Sequence, residues 1–216
     1  MLMLTAISRG YRRRRFAWLF ASLLLTLGAH PVIEALAPGM SPLQGLLAAN
    51  LLVALASMSS ERETPVLVGL AVAFAASRGL QGVFGISSLL PLSQALWIAA
   101  FLLVMASAAR RALGPGGVDG ERILAALDVY LLAGLVFAVG YWVLDQTWPA
   151  SFGLASGRHL DLAGAIYFSF VTIATLGYGD IVPVSEAARG LAILEAVGGQ
   201  MYLAVLVARL VTLYTH

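Results

Sequence analysis

Residues 161–183 have the sequence DLAGAIYFSFVTIATLGYGDIVP, and this stretch decides the fold. Its first part, 161–173, suits a short helix, because Asp161 is a good N-cap residue and no proline interrupts the run. A helix of about 13 residues reaches only about 20 Å, which is less than the hydrocarbon core of a bilayer. We therefore predict that the segment enters a membrane part-way and returns as irregular backbone, which is tolerated there only when it is buried in protein or lines a wet pathway.

The returning part of the segment, residues 175–180, has the sequence TLGYGD. Gly177 and Gly179 occur at alternate positions, where a positive φ costs glycine little. Alternation of ordinary residues with glycine lets successive carbonyl oxygens point towards one axis. Rings of such oxygens can replace the hydration shell of a bare cation. We predict an ion-binding backbone here rather than an extracellular glycine-rich turn, because a simple turn leaves the half-crossing unexplained.

The whole chain has the composition of a membrane protein. It has 216 residues, of which 60% are hydrophobic and 11% are charged, and its mean hydropathy is +0.90. Soluble domains carry about a quarter charged residues, so these values exclude an ordinary cytosolic enzyme. The absence of cysteine excludes disulfide scaffolds and thiolate metal sites. We expect no catalytic residues and no nucleic-acid partner.

Six apolar blocks are typical of membrane-crossing helices, each of which needs about 20 apolar residues. They cover residues 16–37, 43–58, 66–86, 91–109, 123–144 and 190–213. We predict an all-α membrane protein with six transmembrane helices plus the re-entrant pore helix and filter. Its predicted divisions are a basic N-terminus at 1–15, a four-helix membrane domain at 16–112, a linker at 113–122 and a pore domain at 123–216. The pore domain divides into an outer helix at 123–145, a pore helix at 161–173, a filter at 175–180 and an inner helix at 186–213.

The distribution of arginine predicts the orientation in the membrane. All thirteen basic residues are arginine, and ten of them fall on the cytoplasmic side if the N-terminus is cytoplasmic. This asymmetry follows the positive-inside rule, so we predict cytoplasmic N- and C-termini. The arginine-only, cysteine-free composition favours a bacterial plasma membrane. Residues 35–37 imitate a signal-peptide cleavage site, but the apolar run before them is longer than the usual 7–15 residues or so, which favours a span.

The frame Thr-x-x-Thr-x-Gly-Tyr-Gly-Asp occupies residues 172–180, after a half-helix and between two spans. It resembles the selectivity filter of the tetrameric pore-loop potassium channels, especially bacterial six-helix members without a cytoplasmic ligand-binding domain. The resemblance covers residues 123–213, whereas the first four helices resemble the family only in number. It implies a homotetramer that conducts K⁺ passively. K⁺ is then the permeant ion, no cofactor is needed, and the partners are membrane lipid and further copies of the chain.

The resemblance also implies a role for each filter residue. The K⁺ ligands are the backbone carbonyls of Thr175, Leu176, Gly177 and Tyr178, together with the Thr175 hydroxyl, and the outer end is shaped by Gly179. The residues that support the filter are Asp180 at its mouth, the aromatic pair Tyr167 and Phe168, and Thr172. We expect the Tyr167 hydroxyl to form a hydrogen bond near Asp180.

Two positions depart from the family pattern. Ala174 stands where most relatives carry Thr or Ser, and Val171 stands where some carry a carboxyl. Neither change affects the row of carbonyls. The intact Gly-Tyr-Gly favours a potassium channel over a weakly selective cation channel, and a non-conducting modulatory subunit is the other alternative.

The inner helix carries Gly198 and Gly199 near its middle. Small residues there permit close helix packing, and kinks concentrate at glycine-containing pairs. We favour a gating hinge at Gly199, which occupies the hinge position of the family. Gln200, Leu203 and Val207 share one helical face, and we expect that face to line the cavity beside the gate.

Glu195 lies in the same apolar helix, and a carboxyl inside a membrane span is functional by default. One interpretation is a hydrogen bond to Ser169 or Thr172 of the pore helix, made by the neutral acid. The other interpretation is a proton-sensitive gate.

Further polar residues lie within the predicted spans. Glu34, Asn50 and Arg78 are at comparable depth, and we predict a buried Arg78–Glu34 pair with Asn50 nearby. Near the cytoplasmic side, an ion pair between Asp128 and Arg209 is expected.

The fourth span does not have the sequence of a voltage sensor. Such a sensor needs several arginines at three-residue spacing. Residues 89–109 contain none, and Arg110 and Arg111 follow at the cytoplasmic end. We therefore predict a channel without a strong intrinsic voltage sensor.

Overall fold

The computed structural model describes residues 14–36, 43–57, 63–84, 90–114, 119–154 and 159–214. These residues form seven helices and two short strands. The helices are α1 (Arg15–Leu36), α2 (Leu43–Ser57), α3 (Glu63–Phe84), α4 (Leu90–Leu113), α5 (Gly120–Thr147), α6 (Leu162–Ile173) and α7 (Glu186–Tyr214). The strands are β1 (Phe152–Leu154), which precedes α6, and β2 (Ile181–Pro183), which precedes α7.

Five of the described helices, α1, α3, α4, α5 and α7, are long and apolar enough to cross a membrane. This mostly helical architecture confirms the prediction of an all-α membrane protein with several spans. Helix α2 has 15 residues, which corresponds to about 22 Å and is shorter than the hydrocarbon core. The sixth crossing therefore stays a prediction.

Helix α5 is the centre of the packing. It contacts α1, α4, α6 and α7, and its buried side chains are mostly small or aliphatic, among them Ala125, Leu132 and Ala138. Gly134 lets α6 approach closely, because a Cβ atom at this position would lie 2.9 Å from the Phe170 ring. The position of α6 against α5 therefore depends on the absence of a side chain at one residue.

The segment between α6 and α7 is fixed at both ends. Before it, the Asp161 carboxylate caps α6 by accepting a hydrogen bond from the Gly164 N–H at 2.7 Å, as the sequence indicates. After it, β2 pairs antiparallel with β1, with Val182 opposite Gly153. Residues 174–180 therefore run between two anchored elements.

The start of α5 is fixed by Asp119. Its carboxylate accepts hydrogen bonds from the Arg122 N–H at 2.7 Å and from the Arg111 guanidinium at 2.6 Å. The Arg122 hydrogen bond, supported by Arg111, holds the pKa of Asp119 below its ordinary value despite a small desolvation cost. The ionised form of this carboxyl is therefore the form that stabilises the helix start.

Asp119→Ala is expected to lower the free energy of unfolding by about 1 kcal/mol because the N-cap bond is lost, whereas Asp119→Asn keeps most of it. A carboxyl with a depressed folded-state pKa stabilises the protein above the ordinary value, and this contribution disappears as pH falls through the folded value. Thermal unfolding of the purified protein in detergent, at neutral and at strongly acidic pH, measures both effects. Equal unfolding midpoints for the wild type and Asp119→Ala at neutral pH would contradict the prediction.

Candidate functional site

Backbone handedness alternates along residues 175–179. Thr175, Gly177 and Gly179 have positive φ angles of 58°, 57° and 81°, whereas Leu176 and Tyr178 between them do not. Alternation of left-handed and ordinary residues turns successive peptide groups so that their carbonyl oxygens project to the same side. A positive φ at a β-branched residue such as Thr175 is a strained conformation of the kind that clusters at functional sites.

The N–H groups and the carbonyl groups of this segment have different surroundings. The Thr175 N–H donates to the Thr172 carbonyl and the Leu176 N–H donates to the Val171 carbonyl, both at 2.9 Å. By contrast, no described residue donates a hydrogen bond to the carbonyl oxygens of 175–179. All of these residues are exposed on the single chain. Backbone carbonyls are strong acceptors that are almost always paired, so these oxygens are available to a ligand.

The two aromatic residues predicted to support the filter point in different directions. The Tyr167 hydroxyl lies close to the Asp180 carboxylate at the outer end of the segment. Phe168 is buried against α5 and β1, with its ring centroid 5.0 Å from that of Tyr141 and 5.4 Å from that of Phe152. Adjacent residues on a helix are about 100° apart. Tyr167 therefore faces the segment 175–180, and Phe168 packs on the opposite side of α6 against α5 and β1.

The C-terminal end of α6 meets α5 and α7 next to residues 174–180. The Ile173 carbonyl accepts hydrogen bonds from the Tyr130 hydroxyl at 3.1 Å and from the Gln200 amide at 3.4 Å. Gly199 packs directly on Ile173, because a Cβ atom at Gly199 would lie 2.5 Å from the Ile173 Cγ1 atom. At Gly198, no heavy atom lies within 4 Å of the place that an added Cβ atom would occupy. Gly199 therefore has a packing role in this structure, and a hinge there stays a prediction.

Helix α7 is continuous from Glu186 to Tyr214. Of the residues predicted to line the cavity, Gln200 and Val207 are exposed on the single chain and Leu203 is half-buried. A further set of α7 residues, here called the apolar row, is more than half exposed and consists of Ile193, Leu194, Val197, Met201 and Val205. The apolar row is available for contact with lipid or with another protein surface.

Comparison with known proteins identifies this part of the chain. Residues 126–216 match a family described as "Ion channel". The inward rectifier potassium channel Kirbac3.1 of Paramagnetospirillum magnetotacticum is 32% identical over 92 residues, which are 41% of this chain and 28% of that protein. Two pore potassium channel b of Oryza sativa subsp. japonica is 41% identical over 78 residues, which are 36% of this chain and 20% of that protein. Residues 126–216 are therefore similar to ion channels, and these relatives are potassium channels.

These matches support the predicted resemblance to the pore-loop potassium channel superfamily. The matched family and relatives are ion channels and not enzymes, and such channels need no cofactor. Two pore potassium channel c of Oryza sativa subsp. japonica is 38% identical over 61 residues, which are 28% of this chain and 13% of that protein. The chain spans less than a third of the length of each of these relatives.

Glu195 of α7 is a fully buried carboxyl within residues 126–216. Its Oε2 accepts a hydrogen bond from the Tyr141 hydroxyl at 2.6 Å, and its Oε1 lies 2.5 Å from Ser169 Oγ. Of the two pore-helix partners predicted, Ser169 makes the contact. Tyr141 was not predicted, because it lies 54 residues away in the sequence and no local pattern pairs the two residues.

The predicted ion pair between Asp128 and Arg209 is wrong. Arg209 donates instead to the Gly114 carbonyl at 2.8 Å. Carbonyls at a helix C-terminus lack an intrahelical donor and carry partial negative charge, so the end of α4 attracts this guanidinium. Asp128 is fully buried in α5, and neither of its carboxyl oxygens has a hydrogen-bond partner among the described residues.

Asp128→Leu is expected to raise the thermal unfolding midpoint of the purified protein in detergent by roughly 5 °C. A buried polar group without a partner costs about 1–3 kcal/mol, and an apolar side chain of similar volume removes that cost. Asp128→Asn keeps a polar group in place and serves as the control, with a smaller change. A lower midpoint for Asp128→Leu than for the wild type would show that the carboxyl makes a stabilising contact.

The other predicted intramembrane polar residues lie in the N-terminal helices. The Asn50 amide donates to Thr26 Oγ1 at 2.8 Å, which joins α2 to α1. Arg78 lines a small pocket beside Trp97 of α4. The Glu34 side chain lies outside the described residues, so its pairing with Arg78 stays a prediction. Within the described ranges, no group of three or more His, Asp or Glu side chains is arranged to hold a metal ion.

Proposed function

We propose that this chain is a subunit of a potassium-selective channel that conducts K⁺ passively across the plasma membrane. The observation that carries this proposal is the alternating backbone at Thr175, Gly177 and Gly179, with carbonyl oxygens that accept no hydrogen bond from the described residues. A dehydrated K⁺ ion needs such oxygens in place of its water shell. The names of the relatives, which are potassium channels, support the same ion.

In this proposal the ion ligands are the backbone carbonyls of Thr175, Leu176, Gly177 and Tyr178. Gly179 and Asp180 form the outer end, where the Tyr167 hydroxyl lies close to the Asp180 carboxylate. At the inner end, the Thr172 carbonyl accepts the Thr175 N–H and so fixes where the row of ligands begins. The negative end of the α6 dipole lies at the same place and favours a cation there.

We propose a homotetramer, because one chain supplies only one strand of carbonyl oxygens and closed symmetry supplies the rest. Two uncovered apolar surfaces support this assembly. One is the apolar row of α7. The other is a cavity of about 620 Å³ between α1 and α6, which leaves Leu176 and Tyr178 uncovered. Neighbouring subunits and membrane lipid would cover both surfaces.

The remaining features of the proposal concern gating and orientation. Helix α7 would form the gate, with a cavity-lining face at Gln200, Leu203 and Val207 and the glycine pair Gly198 and Gly199 in its middle. The arginine distribution supports cytoplasmic N- and C-termini. Helix α4 carries its arginines only in its last turn, so a strong intrinsic voltage sensor is not part of the proposal.

Reversal potentials of the purified full chain in liposomes test this function. With K⁺ on one side and Na⁺ on the other, we expect the current to reverse near the K⁺ equilibrium potential. Reversal near zero would contradict selectivity and favour a weakly selective cation channel. Absence of current from folded protein would favour a non-conducting modulatory subunit. Liposomes without protein give the background current.

A further inference from the structure

Glu195 lies where three helices meet, within an unbroken chain of short hydrogen bonds. From α5, the Tyr141 hydroxyl donates to Glu195 Oε2 at 2.6 Å. From α6, Ser169 Oγ lies 2.5 Å from Glu195 Oε1 and 2.6 Å from the Gly134 carbonyl oxygen of α5. The side chains of Tyr141, Ser169 and Glu195 are all 0% exposed, so water does not complete these bonds.

The number of hydrogen atoms available for these hydrogen bonds determines the protonation state of Glu195. A serine hydroxyl carries one hydrogen and a carbonyl oxygen carries none, so the hydrogen between Ser169 and Gly134 comes from Ser169. The contact between Ser169 and Glu195 Oε1 then needs a second hydrogen. Glu195 must supply it, because Ser169 has no other hydrogen. The geometry is that of a neutral carboxylic acid that donates to Ser169 and accepts from Tyr141.

We propose that Glu195 is a protonated positioning residue, which joins α7 to α5 and α6 and loosens this junction when it loses its proton. Ionised Glu195 leaves one of the two short contacts of Ser169 without a hydrogen, and two acceptor oxygens at that distance repel each other. The consequence for K⁺ flux rests on the proposed function. The consequence for stability does not.

The junction is connected to the filter through α6. Ser169 lies two residues before Val171, whose carbonyl accepts the N–H groups of two filter residues. Gly199, one turn after Glu195 on α7, packs on Ile173 at the end of the same helix. A change at Glu195 therefore shifts the pore helix and the inner helix against each other close to the ion ligands.

Within the part of the chain that the structure describes, no cation pairs with Glu195. Helices α5 and α6 and strand β2 pack against α7. Helix α5 presents Tyr141 and Tyr130, α6 presents Ser169, and β2 has no titratable residue. Among the described residues, no charged side chain forms a hydrogen bond or an ion pair with Glu195. The other described titratable groups of α7 are Glu186, Arg189, Tyr202 and Arg209.

Thermal unfolding of the full chain in detergent across pH tests this inference with Glu195→Gln. The glutamine amide donates to Ser169 and accepts from Tyr141 at every pH. A water-exposed glutamate loses its proton near pH 4.3 or so. Above this pH the unfolded chain releases the Glu195 proton, whereas the folded wild type keeps it. The stability of the folded wild type therefore falls as pH rises. We expect similar midpoints near pH 4 or so. At neutral pH the variant should unfold roughly 5 °C higher than the wild type.

Glu186→Gln is the matched control, because Glu186 lies on the same helix with its side chain 91% exposed. Its midpoint should follow the wild type at every pH. Parallel profiles for the wild type and Glu195→Gln would overturn the inference.

Should Glu195→Gln not fold, the infrared carbonyl band of a protonated carboxylic acid decides. It should persist at neutral pH in the double variant Asp128→Asn/Asp145→Asn, which removes both buried carboxyls of α5, and its absence overturns the inference.

Flux measurements in liposomes provide the second readout. Wild-type K⁺ flux should change several-fold as pH rises, whereas Glu195→Gln should keep the low-pH level throughout. A pH-independent wild-type flux would overturn the connection between the junction and the pore. Absence of K⁺ flux from all variants would instead count against the proposed channel function, and the unfolding profiles would still decide the state of Glu195.

Discussion

Replacing Gly177 with alanine is expected to lower K⁺-selective flux strongly. Gly177 has a φ angle of +57°, and a Cβ atom in the left-handed region costs about 1–2 kcal/mol per residue. No heavy atom lies within 4 Å of the place that this Cβ would occupy, so the cost is one of backbone conformation. In the proposed tetramer four copies add their costs at one level of the pore. Relief through a negative φ turns the carbonyl oxygen away from the axis.

Reversal potentials and K⁺ flux in liposomes measure this effect, and we expect K⁺ flux to fall at least about tenfold, which corresponds to about 1.4 kcal/mol. The matched control is Gly190→Ala in α7, where a Cβ also meets nothing within 4 Å and φ is not positive. Gly190→Ala should conduct like the wild type. Selective flux at the wild-type level through Gly177→Ala would show that the carbonyl of residue 177 is not an ion ligand.

Gly199→Ala is expected to destabilise the protein by about 1–3 kcal/mol, the usual cost of overpacking. The added Cβ would lie 2.5 Å from the Ile173 Cγ1 atom. Ile173 cannot move away easily, because it is β-branched and its carbonyl is bonded to Tyr130. The helices α6 and α7 must therefore separate. Thermal unfolding in detergent measures the loss, and each kcal/mol lowers the midpoint by about 2–4 °C in a chain of this size.

Gly198→Ala is the control for this substitution. Its Cβ meets nothing within 4 Å on the single chain, and alanine inside a helix is favoured over glycine by about 0.5–1 kcal/mol. Its midpoint should equal or exceed that of the wild type. A hinge at Gly199 predicts a different result, namely altered gating with an unchanged midpoint. That result would contradict the packing role and favour the hinge.

The features that were predictable from the sequence depend on local properties of the chain. Composition alone placed the protein in a membrane, because the cost of exposing apolar surface to water is a sum over residues. The N-cap at Asp161 followed from one side chain near its own helix start. The positions of Gly177 and Gly179 indicated positive φ, and the structure has positive φ at both.

Side-chain partners that are distant in sequence were less predictable. The sequence predicts that Asp128 and Arg209 lie near the same surface of the membrane. Depth in the membrane does not determine which side of a helix a residue faces. Arg209 reaches a helix-end carbonyl instead. For Glu195 the sequence suggested two pore-helix partners and could not choose between them, nor could it find the third-helix partner Tyr141.

The sequence by itself therefore determined the membrane class, the short helix α6 and the glycine spacing of residues 175–180, because each is set by residues within a few turns of one another. Only the tertiary structure decided that Gly199 contacts Ile173 and that the single hydroxyl hydrogen of Ser169 faces two acceptor oxygens, on Gly134 and Glu195. The physical reason is that packing distances and hydrogen counts belong to groups from different helices, and their relative rotation is settled by the whole core.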